Sequence, residues 1–449
     1  MREQEKIIST KIGRGAKFLA TGAKVGGNYL KYYAKKTIQG NLDKTELHEN
    51  NAEDIYNSLS QLKGSALKVA QMLSMDKNML PRAYQDKFIM SQYQAPPLSG
   101  PLVVRTFQKE IGRTIEEVFD TFELKSFAAA SIGQVHKATK GDKVLAVKVQ
   151  YPGVGASIQS DLKMIKPIAL RMFGFTELEL SKYMLEVEEK LMEETDYRLE
   201  ARRGTDISEK ISIPGLFFPQ YFPEYSSQKV LCMEWLDGQH LKDFLESNPS
   251  QEIRDSLGQK LWDFYQFQVH ELQQIHADPH PGNFLFRKDG GLGVIDFGCV
   301  KIVPKDFYRY YFSLLIPEIR ENKKIRDIIL YDHEIIFEDD PAAVKHEIEN
   351  AFLEMTSLLS RPFESNTFNF NDDNYLEEIY KMGESLQEIS EIKKPTKARG
   401  SRHALYVNRT YFGLYNILGD LKANIHTQKR SWKKPLIDFW HSAENNHRL

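Results

Sequence analysis

The sequence predicts an α+β protein in which a small antiparallel-sheet lobe precedes a larger helical lobe, with a helical extension in front of both. Three observations predict it. Between Ser126 and Gly153, "SFAAASIGQVHKATKGDKVLAVKVQYPG" breaks into short β-branched runs parted by a "KGD" turn, the pattern of three antiparallel strands. From Ala52 to about Met90, apolar residues recur at helical spacing (Ile55, Leu59, Leu62, Leu67, Ala70, Leu73). From Gln251 onward helical spacing dominates, interrupted by one apolar, turn-rich stretch at His276–Gly298.

The remaining elements follow in order. Pro81 ends or restarts a helix, and "QAPPLSG" with Pro101 reads as a linker. "PLVVRTFQKEIGRTIEEVFDTF" is helical, as is the acidic "SKYMLEVEEKLMEETDYRLEARRGTDISEKI". "QKVLCMEWLDGQHL" is one more strand running into a polar connector. The expected organisation is a basic arm over 1–50, the helical extension over 51–110, the sheet lobe over 111–236 and the helical lobe over 237–449.

Composition narrows the classes. At 449 residues the chain can bury a large core, and 41% hydrophobic with 27% charged residues is ordinary for a soluble globular protein. A net charge of -2 offers nothing to nucleic acid. Cys232 and Cys299 are too few for a disulfide framework, which points to a reducing, cytoplasmic setting. No apolar run is long enough to predict a transmembrane helix, and the N-terminus lacks the apolar centre of a secretory signal. Met1–Ile38 carries nine Lys or Arg against two Glu, with Leu19, Val25, Leu30, Tyr32 and Tyr33 interleaved. Such an arm can dock on the protein itself or lie on an anionic membrane surface, which would make the chain peripheral to the membrane.

"HADPHPGNFLFRKDGGLGVIDFG" carries the chemistry. Read locally, His276, Asp278 and His280 could form a metal cluster. Read with its tail, Asp278, Asn283 and Asp296 are the magnesium-handling half of a phosphoryl-transfer site, since Asp278 and Asn283 have the D-x-x-x-x-N spacing of a kinase catalytic loop and Asp296 opens D-F-G. The rest of the chain favours the second reading. The small-residue turn "AAASIGQV" lets backbone N–H groups approach phosphate, "LAVKV" sets Lys148 in an apolar strand, and the acidic helix can supply its counter-charge. A metal-only site would leave Lys148, the small-residue loop and Asp296 without a role. Met233 stands where a kinase gatekeeper stands, and Glu234 and Trp235 begin the segment that meets adenine. His136 reads as a strand residue, His280 as a turn-ordering one and Cys299 as packing.

The motifs resemble the UbiB/AarF-type atypical kinases, the group tied to ubiquinone biosynthesis. The resemblance rests on "AAAS" at Ala128–Ser131, "VKVQYPGV" at Val147–Val154, "EETDY" at Glu193–Tyr197 and "DPHPGN" at Asp278–Asn283. It implies a protein-kinase-like two-lobe fold with the helical extension packed over the nucleotide site. It further implies ATP and Mg2+ as cofactors, with Ala128, Ala129, Ala130 and Ser131 lining the nucleotide, Lys148 on its phosphates and Glu200 as the partner of Lys148. Asn283 and Asp296 would hold magnesium, and Asp278 would stand in the position of the catalytic base. Glu194 and Asp196 form the E-x-D motif, which would face the lysine of a K-x-G-Q motif. That motif reads Lys68-Val69-Ala70-Gln71 here, with Ala70 in place of glycine, and without the resemblance Lys68 would read as a surface lysine. The loop's alanines reach positive φ less readily than glycine, so a stiffer phosphate loop is expected. Ala277 stands in place of the arginine of H-R-D, and no A-P-E follows Gly298, which argues against activation-loop phosphorylation. The resemblance thus implies an atypical kinase or ATPase in an isoprenoid-quinone or other lipid pathway, with ATP or ADP, a lipid-like small molecule and a biosynthetic enzyme complex as partners. The alternative is a pseudokinase scaffold that binds nucleotide without turnover.

Overall fold

A computed structural model describes residues 11–39, 45–62, 97–130, 132–172, 177–386, 397–428 and 430–445. The chain divides into two units, one formed by residues 1–206 with 219–235 and the other by 207–218 with 236–449.

The first unit is built on an antiparallel sheet. Strands β1 (Thr121–Phe122), β2 (Ala128–Ala129), β3 (Gly133–Lys140), β4 (Lys143–Gln150) and β6 (Val230–Glu234) belong to it, in the order β1-β3-β4-β6 with β2 paired to β3. The "KGD" turn is a two-residue hairpin in which Lys140 faces Lys143 and Gly141 takes φ +61°, a left-handed conformation that glycine enters at little cost. Leu145, Val147 and Val149 bury one face of β4 against Val103, Phe107 and Ile115. The run expected as one helix over "PLVVRTFQKEIGRTIEEVFDTF" is two, Gly100–Ile111 and Ile115–Val118. Gly112 ends the first in a left-handed C-cap at φ +77°, and the reciprocal Thr114–Glu117 capping box starts the second.

Two further corrections concern helix ends. The expected basic arm contains a helix, Lys11–Gln39, and the next helix opens at Thr45 rather than Ala52. These two helices pack together: Val25, Tyr32, Leu47, Ile55 and Leu59 are buried, and Asn28 bonds Asn51 and Asp54, each at 3.0 Å. The second of them is described to Leu62, so Lys68 and Ala70 lie outside the described residues. The acidic stretch is also two helices, Glu177–Glu194 and Tyr197–Ser208. Asp196 parts them: its Oδ1 accepts the N–H of Arg198 at 3.0 Å and of Leu199 at 3.3 Å, capping the second helix.

In the second unit, helices Gln251–Phe267 and Ala404–Leu421 run through a core that includes Trp262, Tyr265, Phe297, Phe312, Leu414 and Leu418. Strands β7 (Gln274–His276) and β10 (Val300–Ile302) pair antiparallel. β8 (Phe284–Phe286) and β9 (Leu292–Val294) form a hairpin, with β5 (Leu216–Phe217) parallel to β9. After the site stretch the expected predominance of helix is interrupted at β11 (Thr367–Asn369) and β12 (Asn424–His426), which pair antiparallel. Three-residue strands sit below the length at which alternation is readable, so helical neighbours masked them. No helix among the described residues is long and apolar enough to cross a membrane.

Candidate active site

In the first unit the site is assembled on β4. Residues alternate across a strand, so Lys148 lies on the face opposite to the core-facing Val147 and Val149, with Val135 and Leu231 as its cross-strand neighbours. Its Nζ stands 2.9 Å and 3.1 Å from the two carboxylate oxygens of Glu200 and 5.2 Å from the ring centre of Tyr197. The side chains are 6% and 1% exposed, so each charge depends on the other for its solvation. Glu200 reaches Lys148 because its helix starts close to the sheet: the Tyr197 N–H donates to the Gln228 carbonyl. Gly133 makes room, since a Cβ there would lie 2.6 Å from the Val149 carbonyl and 2.7 Å from the Tyr197 hydroxyl. Glycine in "SIGQV" thus permits the close approach of Tyr197, a use the motif alone does not disclose.

Ala128 and Ala129 are strand residues facing Val135 and Gln134, and the Ala130 N–H donates to the Gly133 carbonyl at 2.9 Å. That N–H closes the turn and is not held open for phosphate, and none of the three alanines takes positive φ. Ser131, like Lys68, lies outside the described residues. Glu234 ends β6 with its carboxylate turned to the Gln220 N–H at 3.1 Å. Of the E-x-D pair, Glu194 is buried and Asp196 caps the helix that carries Glu200. Beside them Glu193 pairs with Lys190 at 2.8 Å and Arg203 at 2.9 Å. Met233 is buried in β6, and His136 is buried in β3 with Nδ1 against the Glu123 carbonyl.

In the second unit the β8–β9 hairpin brings the two candidate magnesium ligands to one end. Phe284 faces Val294, and one step beyond, the Ile295 N–H donates to the Asn283 carbonyl at 3.1 Å. Asn283 Nδ2 donates to the Asp278 carbonyl at 2.8 Å; a carbonyl only accepts, which fixes the amide's orientation and directs Oδ1 elsewhere. Asp296 Oδ1 accepts the Gly298 N–H at 2.9 Å. His276 Nε2 lies 2.6 Å from the Asp296 carbonyl and must therefore carry the proton, leaving Nδ1 to accept from the Tyr265 hydroxyl at 3.3 Å. Burial lowers the His276 pKa, which keeps the ring neutral. Both its nitrogens are committed, and His280 Nδ1 accepts the Gly282 N–H at 3.0 Å. Among the described residues no group of three or more His, Cys, Asp or Glu converges as a metal cage. A carboxylate with an amide oxygen is instead the sparse oxygen set that suits magnesium carried in with phosphate.

Sequence reasoning missed a buried partner of Asp278. Arg409, on helix Ala404–Leu421, places its guanidinium 2.5 Å from Asp278 Oδ1, and both residues are 5% exposed.

Known proteins are similar to this chain in sequence and fold. The model of the ABC1 atypical kinase-like domain matches residues 90–328, more than half of the chain. The chain belongs to the ABC1 atypical kinase-like family. This is the UbiB/AarF type that the motifs resemble, and the mixed α+β, kinase-like fold agrees with it. A chloroplastic aarF domain-containing protein kinase of Arabidopsis thaliana is 32% identical, over 62% of this chain and 40% of its own length. The mitochondrial atypical kinase COQ8 of Saccharomyces cerevisiae is 25% identical, over 95% of this chain and 85% of its own. The chain spans about half the length of several other curated relatives. Among solved structures, a Mycobacterium tuberculosis protein in complex with erythromycin aligns at a TM-score of 0.58 with 26% identity, over 88% of this chain and 97% of that one. Every motif of this ABC1 kinase-like chain that the sequence reading used, except Lys68-Val69-Ala70-Gln71, lies inside the matched segment, and Arg409 lies beyond it. That position explains why no motif pointed to it.

Proposed function

We propose that this ABC1-family chain binds magnesium-ATP and transfers or hydrolyses its terminal phosphate, acting in an isoprenoid-quinone or other lipid pathway and not as a general protein kinase. The buried Lys148–Glu200 pair carries the reading. An amine held in an apolar strand by a carboxylate is costly as a structural device and useful as a phosphate-binding cation. Lys148 would meet the nucleotide phosphates, and Asp296 with Asn283 Oδ1 would hold the ion. ATP with magnesium supplies the electrophilic phosphorus. Residues of this chain orient the site: His276 ties the Asp296 backbone to Tyr265, Asn283 ties the loop to Asp278, and Glu200 holds Lys148. Ala277 and the missing A-P-E support an acceptor other than protein side chains. Exposed Leu19, Leu30 and Tyr33 on the basic helix Lys11–Gln39 support a role near lipid.

Release of radiolabelled phosphate from ATP by purified protein, beside Asp296→Asn, tests the reading. Magnesium-dependent turnover in the wild type and its loss in the variant is the expected result. Equal ATP affinity and turnover for the two proteins in magnesium buffer would remove it.

A further inference from the structure

The helix that supplies Arg409 is docked on the site loop by more than one contact. Arg409 meets Asp278, and one turn later Gly413 packs against Pro279, where a Cβ would lie 2.8 Å from Pro279 Cβ and 2.9 Å from its carbonyl oxygen. Tyr406, one turn earlier on the same helix face, lies under Lys301, whose Nζ is 5.8 Å from the ring centre. Positions 406, 409 and 413 therefore form one stripe that engages Asp278, Pro279 and the segment after Gly298. In a kinase with H-R-D an arginine precedes the base in sequence. This chain has Ala277 there, and a guanidinium reaches the same aspartate from 131 residues downstream.

We propose that Arg409 is the positioning residue of Asp278. Helix Ala404–Leu421 clamps the D-P-H-P-G-N loop, and the guanidinium holds the carboxylate in one rotamer, aimed at the acceptor of the transferred phosphate. The inference rests on the phosphoryl-transfer reading above. A short charge-assisted hydrogen bond between two buried groups restricts a carboxylate far more than solvent would, and misplacement by about 1 Å can cost a reaction about 100-fold. The residue acts through Asp278 and not on the nucleotide, so it should move turnover and leave binding alone.

The experiment is a double-mutant cycle on full-length protein, read as the rate of phosphate release from magnesium-ATP and as nucleotide affinity. Arg409→Met should lower kcat by about 100-fold while ATP affinity stays within about twofold, and Arg409→Lys should recover part of the rate. In an Asp278→Asn background, adding Arg409→Met should change the residual rate by less than about twofold, because the group it positions is already gone. Wild-type kcat in Arg409→Met would overturn the inference, as would the same fold-loss in both backgrounds. If Arg409→Met fails to fold because Asp278 is left buried without its guanidinium, the double variant, which removes both charges, is compared with Asp278→Asn: a rate within about twofold supports the inference, and a further large loss overturns it. Absence of turnover in the wild type would instead defeat the phosphoryl-transfer reading and this inference with it.

Discussion

Each unit carries a buried ion pair of a site residue, and the two were not equally legible. Lys148 and Glu200, 52 residues apart, both lie within the matched family segment, and their residue types announce them: a lysine alternating out of an apolar strand must find an acid. Asp278 and Arg409 are 131 residues apart, and nothing around "YVNRTYF" marks its arginine as anything but a helix residue. The chemistry of the pairs also differs. Lys148 is a point charge on a flexible stem, held by both oxygens of one carboxylate, and it can turn to another anion without leaving the first. Arg409 presents a planar, always-charged fork, which suits fixing a partner's orientation. On the proposed function, burial would keep one ion pair ready for a ligand and commit the other to holding a loop.

The largest expected effect comes from breaking the first pair. Lys148→Met leaves Glu200 buried without its lysine and should cost about 3–5 kcal/mol in denaturant unfolding while abolishing nucleotide binding. Replacing both, Lys148→Met with Glu200→Leu, should restore most of that stability without restoring binding. A loss under about 1 kcal/mol for the single variant, the range of exposed pairs, would mean that water reaches the site.

A smaller effect tests the second pair. Gly413→Ala forces the helix away from Pro279 and should cost about 1–3 kcal/mol together with part of the turnover that depends on Asp278. Gly22→Ala, also in a helix but with nothing within 4 Å of the added carbon, is the control and should be neutral or stabilising by up to about 1 kcal/mol. Matching behaviour of the two variants would show that helix Ala404–Leu421 is not docked on the loop.

The smallest effect concerns the E-x-D motif. Asp196→Ala removes the N-cap of the helix that carries Glu200 and should cost about 0.5–2 kcal/mol in thermal unfolding, whereas Asp196→Asn keeps the cap and should cost little. If the asparagine variant loses as much as the alanine one, the negative charge matters beyond capping.

The amino-acid sequence was enough to specify the sheet around Lys148, the order of the small-residue, D-P-H-P-G-N and D-F-G motifs, and the family. These depend on local information: strand alternation, a Gly-containing hairpin turn and short motifs whose spacing is read directly. Folding in three dimensions settled that Gly112 and Asp196 divide helical runs, that Ala130 spends its N–H closing its own turn, that Gly133 clears space for Tyr197, and that Arg409 reaches Asp278. The first two depend on caps competing with helix continuation inside an otherwise helical pattern. The others depend on which surfaces meet, and a chain pattern with a period of two or of 3.6 residues holds no record of a contact made 131 residues away.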